Sequence, residues 1–343
     1  MNADFLKAIT ETFSVAGFEG DASRLFEERL NDIATISRDA VGNTYATLQT
    51  DANARRVLVE AHIDEIGFAV TYIDPRGFLF IRQIGGIDWA VVSGSKVVVK
   101  TVGGELLHGV IGKVPIHVMR SEDSKNAPRP EDLYVDLGLP AETVTGKVTV
   151  GDPLGFEPNF SMLSDSVVTS KGLDDKVGVA VMADVLKKIK SDGIQANLCA
   201  VATVQEELGA KGARLLGRNV RPDYSISIDV DHATDAEGVP KRKYGDIKLG
   251  GGVIISRHAD VSQELVNKAI NIAKKAGIPF QISAFGRSTG GTDTPVIQTS
   301  ESGIPTLLLG IPNRYMHTQV EMCDLRDLQA ASDLIVELIK ELS

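Results

Sequence analysis

Cysteine is nearly absent. The two that occur, Cys199 and Cys323, give no disulfide framework, and both read as plain buried thiols. Long apolar runs are absent as well: none approaches the roughly 18 residues that cross a bilayer. The opening stretch MNADFLKAITETFSVAGFEG carries acids where a secretory leader has a basic region followed by an apolar one. A cytoplasmic protein without membrane contact is expected. Basic blocks are missing too. The net charge is -10, and the one basic run, PKRKYGD at 240–246, is short enough to be a solvated turn. Such a balance disfavours nucleic acid as a partner. There is no internal repeat, heptad array, low-complexity tract, P-loop or dinucleotide fingerprint.

What remains is ordinary globular material: 343 residues, 43% apolar and 24% charged. That suffices for one large domain, or a core domain with a smaller one. Helices are expected near 3–13 and 21–33. RVLVEAHID (56–64) reads as a buried strand. In 174–191, Val177, Val181, Val185 and Ile189 repeat every four residues, the mark of a helix. ANLCAVATVQ (196–205), PDYSISIDVD (222–231) and IPTLLLGIP (304–312) read as strands. The segment 263–277 is a helix that ends at a glycine. The chain closes on a helix over 324–342, with Leu328, Ala331, Ile335, Leu338 and Leu342 on one stripe.

Strands alternating with helices predict a mixed-sheet α/β/α sandwich. The middle differs. Between 73 and 164 lie short runs such as GFLFIRQIGG, KVVVKTV, LHGVIGKV and LYVDLG, punctuated by glycine and proline. They predict a small β-barrel inserted at 73–164 into a catalytic domain made of 1–72 and 165–343. The segment 119–132 reads as a mobile loop within the insertion.

The apolar runs end in groups that can bind metal. AHIDE offers His62, Asp64 and Glu65; GLDDK offers Asp174 and Asp175; VQEE offers Glu206 and Glu207. SIDVDH offers Asp229, Asp231 and His232, and PNRYMHT offers His317. Each has an ordinary reading by itself. A lone histidine packs, a DD pair caps a helix, and an EE pair is a solvated turn. Together the ordinary reading needs five coincidences at the sheet edge where α/β proteins bind their ligands. Imidazole and carboxylate suit zinc, cobalt or manganese, whereas thiolate sites need cysteine. Two cations ~3.5–4 Å apart need a bridging carboxylate and separate ligands for each. A further carboxylate must stay off the metals to serve as general base.

The ordered set AHIDEIGF, GLDDKVG, VQEELGAKGA, SIDVD and GGTDTPVIQTSESGIPTLLLGIPNRYMHT resembles the co-catalytic metallo-aminopeptidases of the glutamyl and deblocking type. That group includes the tetrahedral aminopeptidases and relatives long labelled endoglucanase. The motifs run from 61 to 318, nearly the whole chain. The resemblance implies two divalent metal ions per subunit, zinc first, with cobalt and manganese also accepted. Asp174 would bridge them, Glu207 and His317 would complete one site, and His62 and Asp229 the other. Glu206 would be general base and acid toward a metal-bridged hydroxide, and Asp64 would orient the His62 imidazole. The implied substrates are peptides, cut at their N-terminal residue. The implied assembly is a homo-oligomer, often a dodecamer built from dimers, with the barrel as lid or dimerisation unit.

Other residues are left with two readings. Asp175 orients the preceding ligand or caps the helix. Arg287 faces an acidic substrate side chain or a surface or interface. Thr292 and Asp293 line a pocket or belong to a glycine-rich turn. His117 reaches across an interface or is structural. His108, His232 and His258 have no assigned role. Two rival functions are weighed. A glycoside hydrolase would use two carboxylates roughly 5–10 Å apart and no metal, which leaves His62 and His317 without purpose. A non-catalytic metal-binding assembly protein would lack a ligand or the base, and none is missing.

Overall fold

A computed structural model describes residues 3–119, 127–284 and 291–343. Arg287 and half of the expected loop at 119–132 lie outside them. Two helices, α1 (Ala3–Glu11) and α2 (Gly20–Leu30), precede β1 (Thr35–Arg38), β2 (Thr44–Gln49) and β3 (Arg56–His62). Next come β4 (Gly67–Ile73), β5 (Leu79–Ile84), β6 (Lys96–Lys100), β7 (Leu106–Gly112), β8 (Tyr134–Asp136), α3 (Ala141–Lys147) and β9 (Pro153–Phe156). Then follow β10 (Ser161–Met162), β11 (Val167–Ser170), α4 (Leu173–Ser191), β12 (Asn197–Thr203), α5 (Leu216–Val220) and β13 (Tyr224–His232). The rest is α6 (Lys241–Tyr244), β14 (Val253–Ser256), α7 (Gln263–Ala276), β15 (Phe280–Ser283), α8 (Thr294–Gln298), β16 (Thr306–Asn313), β17 (Glu321–Asp324) and α9 (Leu325–Leu342).

The main sheet has eight strands in the order β1-β2-β12-β3-β13-β16-β14-β15. Its four central strands, β12, β3, β13 and β16, run parallel, so their carboxyl ends share one edge. Alternation along β3 explains the layers. Val57, Val59 and Ala61 pack with Val177, Val181, Leu334 and Leu338 in one core. Leu58 points to the other side, among Val201, Leu216 and Ile297. Both faces of β3 are therefore covered, and each wholly buried aliphatic side chain contributes on the order of 1.5–3 kcal/mol. Local signals bound the helices. Ser262 accepts from the Leu265 amide at the start of α7, and Gly277 ends it in the left-handed region. Asp324 accepts from the Arg326 amide at the start of α9.

The barrel is closed and antiparallel, in the order β4-β5-β8-β7-β6-β9, around Phe68, Val97, Leu133, Val135 and Leu154. Its strands run from Gly67 to Phe156, earlier at both ends than the expected 73–164. Only four residues separate β3 from β4, so no turn signal marks where the chain leaves the sheet. At the other end, β10 pairs with β11, and β11 with β17, in a separate three-stranded sheet. The run before GLDDK thus belongs to this small antiparallel sheet, not to the main one. Among the described residues no helix is long and apolar enough to cross a membrane.

Candidate metal centre

His62 is the last residue of β3. Its Nδ1 lies 3.1 Å from the carbonyl oxygen of Asp64. A carbonyl only accepts, so Nδ1 carries the proton and Nε2 is presented 2.9 Å from Asp174 Oδ1. His317 is held the same way: its Nδ1 donates to the Gly86 carbonyl at 2.9 Å. Its Nε2 is 3.3 Å from Asp174 Oδ2 and 3.5 Å from Glu207 Oε1. Asp174 therefore turns one oxygen to each imidazole. Two sets of donors result, each with its ligand atoms within 4.8 Å of one another: Asp174, Glu207 and His317 in one, His62, Asp175 and Asp229 in the other.

Several sequence expectations need correcting. Glu206 and Glu207 do not directly end the strand expected over 196–205. β12 stops at Thr203, Gln205 has φ 56°, and both glutamates follow in a turn that lines one cavity. Asp64 meets His62 through two groups: its backbone carbonyl accepts from Nδ1, and its carboxylate Oδ1 stands 3.7 Å from the same nitrogen. The carboxylate also accepts from the amides of Glu206 and Glu207, at 3.0 and 3.1 Å. Asp229 lies within β13, not at its end, and His317 comes several residues after β16. Asp175 takes the capping role. Its Oδ1 accepts from the Gly178 amide at 3.2 Å, while its carboxylate stands beside His62 and Asp229.

The remaining candidates lie around this centre. Glu65 is no ligand: buried, it sits 2.7 Å from Lys171 Nζ and 2.9 Å from Lys176 Nζ. Burial opposes its charge, but the two lysines prevail and hold its pKa below the usual carboxylate value, while burial pushes Lys176 down to about 7. Both lysines also reach the Thr12 carbonyl, so the triad ties the N-terminal segment and the start of α4 to the loop after His62. Asp231, His232, His258 and Thr292 line the cavity, whose volume is about 580 Å³. Asp293 is buried and accepts from Thr203 Oγ1 at 2.6 Å. His108 pairs with Glu157 on the surface, and His117 is exposed.

Two features of the site gave no usable sequence signal. Gly85 and Gly86, in the loop after β5, bring the barrel against two of the candidate ligands. A Cβ on Gly86 would stand 2.9 Å from His317 Nδ1, and one on Gly85 would stand 2.8 Å from Glu207 Oε2. Glu321, at the start of β17, accepts from the Asp174 and His317 amides. Glycine in a barrel loop and an acid before a helix are both common, so neither stands out in the chain. Gly86→Ala should weaken cation binding by about 10–100-fold, the usual cost of disturbing a ligand's outer hydrogen bond. Metal content after gel filtration checks this, and an unchanged content would show that the loop can yield.

The electrostatics favour a cation. Burial drives Asp175, Glu207 and Asp229 well above the usual carboxylate range, each pushed further by neighbouring acids. Glu206 rises to about 7, chiefly from burial. Asp174 goes the other way. Burial resists its ionisation, but hydrogen bonds to His317 and His62 outweigh that and hold it low. In return, against the pull of burial, Asp174 and Glu207 raise His317 to about 10. Five acids thus share two imidazoles, and Asp175 Oδ2 has no hydrogen-bond partner. This nitrogen-and-oxygen donor set fits divalent cations such as zinc.

A parallel-centred sheet with imidazole and carboxylate clusters at its carboxyl edge, roofed by a barrel loop, makes a candidate metal centre. The chain belongs to the M42 glutamyl aminopeptidase family, whose sequence profile matches residues 42–334. It is 33% identical to the lysyl aminopeptidase of Pyrococcus furiosus, over 99% of this chain and 97% of that one. A TET aminopeptidase from a marine sediment thaumarchaeote superposes with a TM-score of 0.94 at 32% identity, covering 99% and 96% of the two chains. The PhTET1 dodecamer subunit gives 0.87 at 33% identity, covering 99% of each.

Proposed function

We propose that this aminopeptidase removes N-terminal residues from peptides with two divalent cations per subunit, zinc first and cobalt or manganese as substitutes. Asp174 would be shared between them, Glu207 and His317 would help to hold one, and His62 and Asp229 the other, with Asp175 beside that second set. One observation carries the reading: Asp174 offers separate oxygens to the two histidines, each of which anchors its own cluster. Bound cations would polarise the scissile carbonyl and lower the pKa of water toward ~7. Glu206 takes the proton of the attacking water and returns it to the departing amine. The carboxylates around the cavity attract the substrate's free α-amino group, which restricts cleavage to the first residue. Asp64 keeps Glu206 and Glu207 in place through their amides.

Release of aminoacyl-nitroanilides should cease on chelation and return with zinc, cobalt or manganese. Activity indifferent to chelation would overturn the proposal. A glycoside hydrolase has less support, because Asp174, Glu207 and Asp229 stand beside imidazoles in cation-binding sets. We further propose a cytoplasmic homo-oligomer built from dimers. The dodecameric relative supports it, as do exposed apolar side chains on the barrel side: Val102, Leu106, Val110, Ile116 and Val118.

A further inference from the structure

Glu321 is 1% exposed, and its two oxygens do different jobs. Oε2 accepts from the Asp174 amide at 2.9 Å, and Oε1 from the His317 amide at 2.9 Å. Neither amide has a place in a regular ladder. Asp174 has φ -73° and ψ 111°, off the helical path of α4, and His317 has φ 61°, a conformation that costs a non-glycine residue energy. Without Glu321 both donors would lose their acceptor at a largely buried site.

Strand pairing places Glu321 at the base of both segments. In the β11–β17 register Glu321 lies opposite Ser170, beside the turn that leads to Asp174. Its neighbour Met322 exchanges two backbone hydrogen bonds of 3.0 Å with Arg314, closing the loop that carries His317. One carboxylate therefore joins the backbones of residues from distant parts of the chain. Asp64 likewise accepts from two amides, those of the adjacent Glu206 and Glu207.

We infer that Glu321 is a positioning residue: it sets Asp174 and His317 at ligand spacing before any cation arrives. This rests on the proposed reading of those two residues as ligands. A site prepared in this way would let the metal spend less of its binding energy on ordering loops.

Two measurements test it. In Glu321→Gln, one acceptor oxygen becomes an amide that can only confront an N–H donor. Zinc affinity, read by competition with a chromophoric chelator, should fall by about 10–100-fold. Excess zinc should recover most of the turnover, which loss of a group acting on the substrate would not allow. Unchanged zinc affinity in a folded variant would overturn the inference. The second measurement needs no variant. In chelated wild-type protein, hydrogen exchange resolved to single amides by mass spectrometry should show Asp174 and His317 protected. Free exchange at both would overturn the inference, since the metal would then be ordering the site. Wild-type protein that takes up no zinc while both amides stay protected would sink the ligand reading and uphold the clamp.

Discussion

Glu206→Gln is expected to retain its cations and to lose turnover by about 10²–10⁴, the usual share of a general base. Glu206 lines the cavity but belongs to neither ligand set. Burial, with the charges of Asp293, Asp64 and Asp174 adding to it against His62, raises its pKa to about 7. Nearby cations would draw that value down, leaving an ionised carboxylate at neutral pH beside the attacking water. Glutamine keeps the shape and leaves the backbone contact with Asp64 untouched, so the loss should fall on kcat. Glu207→Gln should behave differently: its Oε1 faces His317 Nε2, and it should lose metal as well as activity. Metal analysis beside nitroanilide kinetics separates the two. Near-wild-type turnover in Glu206→Gln would remove that residue from its role.

Asp174→Asn should abolish activity and empty both sites, because no other described carboxylate faces both histidines. The pH behaviour sharpens this. In the metal-free protein, Asp174 and Glu207 hold a proton on His317 up to about pH 10. A cation must displace it, so zinc uptake by the wild type should release protons and tighten as pH rises toward that value. For folding the sign is the reverse. A histidine pKa raised from an unfolded value of about 6.5 stabilises the fold fully below that pH, and the contribution is lost as pH rises through about 10. In Asp174→Asn the His317 titration should move down toward its ordinary value. Histidine NMR titrations of the two metal-free proteins check this, and an unmoved His317 would show that Asp174 does not govern it.

Much of this was legible in the chain. The apolar periods over α4, α7 and α9, the β-branched residues of β3 and β13 and the leucine run of β16 predict those elements closely, because their apolar faces are buried. The acids and histidines of AHIDE, GLDDK, VQEE, SIDVD and PNRYMHT do converge. What was not legible depends on tertiary contact. The step from β3 to the barrel falls inside an apolar stretch. Residues 206 and 207 leave the strand because three side chains capture the amides that follow it: Asn43 takes Val204, Glu19 takes Gln205, and Asp64 takes both glutamates. Those partners are distant in sequence, so nothing local announces the turn. Glu321 escapes for the same reason. A carboxylate that receives two backbone amides looks, in a string of letters, like any acid near the start of a helix.

The bond from His317 Nδ1 to the Gly86 carbonyl has a thermodynamic consequence. The histidine hangs on the sheet side of the molecule, whereas the oxygen that selects its tautomer belongs to the barrel. If His317 holds a cation as proposed, the barrel's tilt enters that cation's dissociation constant. By reciprocity, whatever free energy a particular tilt adds to cation binding, the bound cation returns to that tilt. A neighbouring subunit that pressed on the barrel would be an effector of the metal site, and chelation would loosen the roof along with the chemistry beneath it.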